Sequence, residues 1–539
     1  MAVREEVGWA SVERPLPAGL AVESRSRLLR GLALALLTAL AASAEEPAAS
    51  RKIEPESQLN RHKKLVFVCF KDQLFADRSG YPAFCAKHET TPRAEVRELA
   101  IGELKKKAAD SMAAWRKNPV AGIEIKRSCW LVNGFIGEAA EAAALETAAK
   151  REDVLFVYRV GGGDGMGASP GAVPAEVYGE TNKDGTLKVV AEPPFTAKGL
   201  KVSKSLDLIQ APTAWQAGVS GQGVVVAVFD SGVYPACGDL REAMWVNAGE
   251  IPGNGKDDDG NGLVDDVFGA NLSAANGDIV ARELPAMSAK LGAKTSHGHM
   301  CAGMIAGRGK NGILTGVAPR ARIMPVIGST DLWIDAFEYV IDHGGDVVSM
   351  SFMGPTTEEY RSLWRRMAEH ASASCLLLCG GAGNNGQTKN PVQIFNPKDI
   401  PCVMAGAGVD LDKARAPFSS KGPVSWEKVP FYEDYPLKGG GFLRKPDVCA
   451  CATGFEGILF EGAAKPGAQG NSFSGPQIAG CAALLLEANP EIKPWQIQRA
   501  INETAGDLGP KGWDAEYGWG LMNCRAAVEA ARKLKGSGK

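Results

Sequence analysis

Four polar residues of complementary chemistry stand far apart in this chain of 539 residues, each where an apolar run gives way to a turn or a helix. VVVAVFDSGV ends such a run on Asp230, directly before Ser231-Gly232. A carboxylate there can orient a neighbouring base, and it can equally be a turn former. SHGHMCAGMIAG places His297 and His299, two of only six histidines, two positions apart, with Cys301 two further on. All three residue types serve as zinc ligands. On a helix starting in that stretch, however, positions 297 and 301 share a face while 299 points elsewhere, which argues against a shared metal. CLLLCGGAGNNGQ bends through glycines onto Asn384, whose side-chain amide can donate to an oxyanion or simply make an Asn-Gly turn. GNSFSGPQIAG sets Ser472 before a helical stretch. Free backbone N–H groups and the positive end of the helix dipole favour an anion at that place, where serine is also a preferred cap.

A further cluster, NGKDDDGNGLVDD, places Asp257, Asp259 and Asn261 at positions one, three and five before Gly262. This matches the first half of a calcium loop. The twelfth position is Phe268 rather than Glu, and Asp265 or Asp266 could substitute. The expectation is a structural Ca2+ held by Asp257, Asp259, Asn261 and Asp265, and no cofactor for catalysis. The alternative is a solvated acidic turn.

The elements that must hold these residues are legible as periodicity. From about Lys201 onward, VVVAVFD, RIMPVIG, DVVSMSF, CLLLCGG and CVMAGAGV are short continuous apolar runs separated by helical or Gly-rich stretches. Strands buried on both faces read this way, so the fold class is α/β, with a mostly parallel sheet covered by helices. Ligands bind such sheets at the carboxyl ends of strands, which is where Asp230 and Asn384 fall. Before this region, residues 45–160 hold a small α+β module. Its longest helix, RAEVRELAIGELKKKAADSMAAW, repeats Val96, Ala100, Leu104, Ala108 and Met112 at four-residue spacing. The Gly- and Pro-rich stretch that follows marks a linker over 161–200.

With 60 basic against 62 acidic side chains, the net charge of -2 gives no electrostatic reason to expect nucleic acid as a partner. RSRLLR, then GLALALLTALAA and the small residues to Ala44, has the order of a secretory signal peptide. The apolar run is short of the roughly 20 residues that span a bilayer. Residues 1–44 are therefore expected to be an extended signal peptide on a secreted protein, with no stable membrane span after cleavage. Many of the twelve cysteines lie in or beside apolar runs, where a thiol packs as a small hydrophobe.

The order Asp, His, Asn, Ser on successive strand ends and helix starts resembles the subtilisin-like serine peptidases from about Leu206 to Ala530. VVVAVFDSGV is similar to that family's Asp segment and SHGHMCAG to its His segment. GGDVVSMSF is similar to its substrate strand, GGAGNNG to its oxyanion segment and GNSFSGPQIAG to its Ser segment. The resemblance implies a doubly wound subtilisin-like catalytic domain over 201–535 and a triad of Asp230, His297 and Ser472. It implies an oxyanion hole from Asn384 and the Ser472 N–H, and contacts to protein or peptide substrates through Ser351, Phe352, Met353 and Gly381. The α+β module is similar to the family's inhibitory propeptides, which implies a zymogen cut between Val160 and about Lys201.

This chain departs from the family pattern at several places. His299 and Met300 stand where HGTHVAG has Thr and His, and Asn471 and Phe473 flank the serine where GTSMA has Thr and Met. Met353 stands where the family favours Gly. A chain with these changes that had lost catalysis would instead be a binding module on the same fold.

Overall fold

The computed structural model describes residues 52–53, 65–159, 173, 177–188, 194–328, 333–354, 358–436 and 441–536. The expected signal peptide and the GGGDGMGASPGA run of the expected linker lie outside these residues. In the N-terminal part, Leu65–Phe70 (β1) is followed by Gly80–Lys87 (α1), Arg93–Lys117 (α2), Ile123–Cys129 (β2), Gly134–Ala139 (β3), Ala142–Lys150 (α3) and Val154–Arg159 (β4). The strands form an antiparallel sheet in the order β2-β3-β1-β4. Strand side chains alternate between faces. Val66, Val68 and Phe70 of β1 therefore pack with Met112 and Trp115 of α2 and with α3. Phe67 and Cys69 point the other way, into a core shared with the rest of the chain. The expected stripe on α2 is buried at all five positions and continues to Trp115.

The larger sheet contains Val225–Phe229 (β5), Ala270–Asn271 (β6), Arg322–Ile327 (β7), Val347–Met350 (β8), Leu377–Gly381 (β9), Val403–Val409 (β10) and Val448–Cys451 (β11). Its order is β11-β10-β9-β8-β5-β7-β6, and every pairing is parallel. From β5 the chain lays β6 at one edge and β7 between it and β5, then crosses to the other side and runs outward through β8, β9, β10 and β11, so the sheet is doubly wound as expected, with its switch point beside β5. On one face Val226 and Val228 of β5 pack with His297–Ala306 (α4), Ser474–Ala488 (α7) and Cys524–Gly536 (α9). On the other, Ala227 and Phe229 meet Trp333–Asp342 (α5) and Glu358–Ala373 (α6). Pro494–Glu503 (α8) packs beside α9. In α7, Ile478, Leu484 and Leu485 are wholly buried, each worth about 1.5–3 kcal/mol relative to exposure.

All twelve cysteines are free thiols, eleven of them buried and Cys85 half-buried. Among the described residues no helix is long and apolar enough to cross a membrane.

Candidate active site

Asp230 follows β5 at once, and His297 opens α4. They meet because Gly298 carries no side chain: a Cβ there would lie 2.5 Å from the Gly232 carbonyl oxygen and 3.0 Å from the Asp230 Cβ. Ser296 caps α4, its hydroxyl accepting from the His299 N–H at 3.3 Å. The His297 Nδ1–H donates to Asp230, 2.8 Å from Oδ2 and 2.9 Å from Oδ1. Asp230 is 2% exposed, and its Oδ1 also accepts from the Ser231 N–H at 2.7 Å and hydroxyl at 3.1 Å. That hydroxyl accepts in turn from the Gly298 N–H. Strand end, turn and helix start are thus tied around one carboxylate. Burial works against a charged imidazole, but the Asp230 carboxylate outweighs it and holds His297 well above its ordinary pKa. With Nδ1 committed, Nε2 is left to face a second partner.

Ser472 sits in the 3-10 turn Asn471–Phe473 that leads into α7. Its carbonyl accepts from the Ser351 hydroxyl at 2.7 Å and from the Cys301 thiol at 3.6 Å. The same sulfur lies 3.9 Å from His297 Nδ1, and the Phe473 ring centroid is 5.7 Å from that of the imidazole. These contacts bring the serine turn to the histidine. Asn384 is exposed, and its Oδ1 accepts from the Asn471 N–H at 2.9 Å, which leaves its Nδ2 to donate outward. The Asn471 side chain donates to the Gly383 carbonyl at 2.8 Å and to the Ser419 hydroxyl at 3.0 Å. The asparagine that stands in place of the family's threonine therefore clamps the loop carrying Asn384. A buried carboxylate and an amide donor after two strand ends, with an imidazole held in one tautomer and a hydroxyl at two helix starts, can perform nucleophilic acyl transfer.

The remaining site residues divide. Ser351, Phe352 and Met353 continue from β8 beside Ser472, with Met353 51% exposed and the Phe352 ring stacked on Trp333 at 4.3 Å. Gly381, expected to touch substrate, is instead buried under the serine turn. A Cβ there would come within 1.8 Å of the Asn471 carbonyl oxygen, so its role is to let β9 pass. Cys301 touches both the histidine and the serine turn. His299 is fully buried and faces away from the site. Its Nδ1 accepts from the Tyr234 N–H at 3.3 Å and its Nε2–H donates to the Leu459 carbonyl at 3.1 Å. Burial pulls it down to about 4, so it is a neutral strut and no ligand partner of His297. Lys398, which sequence reasoning missed, is buried behind the cleft and donates from Nζ to the Phe352 carbonyl. No local motif announces it.

The acidic loop also differs from expectation. Asp257 accepts from the N–H groups of Gly260, Asn261 and Gly262, and Asp265 from those of Asn254 and Gly255. Both are turn formers, occupied by their own backbone. The carboxylates that converge are Glu250, Asp259 and Asp266, with ligand atoms within 4.8 Å of one another. Asn261 donates to Asp259 and Asp266 from its amide. Glu250 and Asp266 are fully buried, and burial pushes both up. The second Glu250 oxygen has no hydrogen-bond partner.

The peptidase S8 model of the subtilase family matches residues 221–520. Subtilisin DY of Bacillus licheniformis is 25% identical over 338 residues, covering 61% of this chain and 99% of that protein. Subtilisin E of Bacillus subtilis strain 168 is 25% identical over 372 residues, covering 68% and 81%. Fervidolysin of Fervidobacterium pennivorans is 27% identical over 294 residues, covering 48% of this chain and 39% of that one. The crystal structure of fervidolysin shares the fold with a TM-score of 0.50 at 18% identity, over 88% of this chain and 62% of that chain.

Proposed function

Because the chain belongs to the subtilase family and is a serine endopeptidase, we propose that Asp230, His297 and Ser472 are its catalytic triad and Asn384 its oxyanion donor. The Ser472 Oγ attacks the scissile carbonyl carbon while His297 Nε2 takes the hydroxyl proton. Asn384 Nδ2 and the Ser472 N–H receive the oxyanion. Collapse of the tetrahedral intermediate breaks the C–N bond, and His297 returns its proton to the departing amine. Water then attacks the acyl-enzyme with His297 again as base, releasing the new carboxylate and restoring Ser472. The observation that carries this reading is the buried Asp230 carboxylate, which fixes the imidazole tautomer at 2.8 Å.

The test is labelling with a serine-directed fluorophosphonate followed by mapping of the adduct. Processed protein is expected to carry it on Ser472 and to lose it in Ser472→Ala and His297→Ala. Folded, processed protein that takes no label would leave the binding-module reading in its place.

The enzyme is read as a secreted zymogen. Support for secretion is the basic, apolar and small-residue order up to Ala44. Support for the zymogen is the four-stranded unit Leu65–Arg159, which packs on α5 and α6 and resembles an inhibitory propeptide. This unit is proposed to assist folding and to hold the site closed until the chain is cut between Val160 and about Lys201. Membership of the subtilase family supports protein or peptide segments as the substrates.

Glu250, Asp259 and Asp266 are proposed to hold one structural Ca2+. Three carboxylates with oxygen donors within 4.8 Å of one another, one of them offering a buried oxygen without a partner, fit that ion. Adding Ca2+ to metal-stripped protein is expected to raise Tm, with about 2.7 kcal/mol of added stability at a free concentration a hundred times Kd. Glu250→Gln should abolish the rise, whereas Asp257→Asn should keep it. A Tm that ignores calcium would rule the site out.

A further inference from the structure

Past the pair Ser349–Cys379 the ladder between β8 and β9 ends. The two chains part there, β8 running on to Ser351, Phe352 and Met353, and β9 to the loop of Asn384. A third segment, residues 393–398, closes the gap between them and is fastened to both walls. The Gly354 N–H donates to the Asn396 carbonyl at 2.8 Å, and the Asn385 side chain donates to the Gln393 carbonyl at 3.1 Å. A peptide whose carbonyl meets Ser472 and Asn384 while its backbone follows Ser351–Met353 sends the side chain of that same residue into this gap.

Lys398 ends the third segment and forms the floor of the gap. Its stem passes beside Gly380, where a Cβ would lie 3.0 Å from the Lys398 Cδ, and its amine reaches back to the Phe352 carbonyl. The residue is 1% exposed. Among the described residues that one carbonyl is the acceptor Nζ meets, which leaves two protons of an ammonium without one. Asp399, next in the chain, pairs with Arg361 at 2.7 Å instead. The contrast is Lys445, equally buried, whose amine pairs with Asp447 at 2.6 Å. A buried ammonium is costly unless an anion faces it. Burial accordingly pulls Lys398 down to about 7, although Asp399 opposes the shift.

We propose that Lys398 is a specificity-determining residue, selecting substrates with an acidic side chain, glutamate or aspartate, at the residue whose carbonyl is cut. The incoming carboxylate accepts the two spare protons and supplies the counter-charge that the floor of the gap lacks, while the Phe352 carbonyl keeps the third. A basic side chain in the same place meets a like charge, and an apolar one leaves the amine unpaired. The inference rests on the proposed triad and oxyanion donor, and goes beyond them in naming the substrate class.

Fluorogenic peptides that differ only in the residue before the cut, glutamate, glutamine, leucine or lysine, should be given to the full chain after maturation, with fluorophosphonate labelling of the same sample. The kcat/KM for glutamate is expected to exceed that for its isostere glutamine by roughly ten- to a hundredfold, the scale of a hydrogen bond to a charged group. Lys398→Met keeps the stem and removes the charge, so it should erase that ratio while cleavage after leucine persists. Should this variant not fold, the wild-type ratio alone decides. Labelled protein that cuts after glutamine as fast as after glutamate, or a folded Lys398→Met that retains the preference, would overturn the inference and leave the peptidase reading intact. Protein that takes no label on Ser472 would overturn that reading, and the inference with it.

Discussion

Ser472→Ala is expected to lower kcat by about a millionfold, the size of loss found in subtilisin itself when its serine or histidine is removed. The serine turn is held from outside its side chain: the Ser472 carbonyl by Ser351 and Cys301, the Asn471 amide by Gly383 and Ser419. Loss of the hydroxyl should therefore leave the fold in place, with stability changed by no more than about 0.5 kcal/mol. His297→Ala should cost about as much, and the double substitution little more than either alone. Nucleophile and base act as one unit, and removing one idles the other. Initial rates on a chromogenic peptide, alongside thermal melts, check this. A Ser472→Ala enzyme keeping a hundredth of the activity would remove the serine from its proposed role.

Asp230→Asn is expected to cost roughly ten-thousandfold in kcat, the scale found when the equivalent acid of a serine protease triad is amidated. A carboxamide presents an N–H to His297 Nδ1, which then accepts and moves the imidazole proton to Nε2, the nitrogen that must be bare. The pH profile carries a second signature. His297 acts as base only when neutral, and its pKa is raised chiefly by Asp230 against the effect of burial. Wild-type kcat/KM should therefore fall as pH drops through that raised value. Without the carboxylate the pKa falls, so the acid limb of the residual activity should move to lower pH. An unmoved limb would mean that Asp230 does not act through His297.

The strand ends that hold the site were legible because each is a local event, an apolar run stopped by a turn residue. Asp230, Asn384 and Ser472 each announce themselves within ten residues of sequence, and helix periodicity alone placed Cys301 on the side of His297 and His299 away from it. What stayed hidden depends on approach between distant segments. The clamp of Asn471 on Gly383 and the tether from Lys398 to Phe352 each exist only once β8, β9 and the serine turn are assembled. The acidic loop was misjudged for a related reason. Spacing selected Asp257 and Asp265, but those side chains satisfy backbone N–H groups of their own turn. Glu250 lies outside the spacing and reaches the cluster through the fold. The two-residue strand β6 had no signal because Ala270–Asn271 is too short to show a period.

The twelve unpaired thiols have a consequence for how this protein meets a reductant. Secreted proteins often need an oxidising compartment to lock their shape, and here the lock is the apolar interior itself, with eleven sulfurs packed inside it. Among the described residues no two sulfurs are joined. Added reductant is therefore expected to leave its thermal melt unchanged, which a melt with and without dithiothreitol checks.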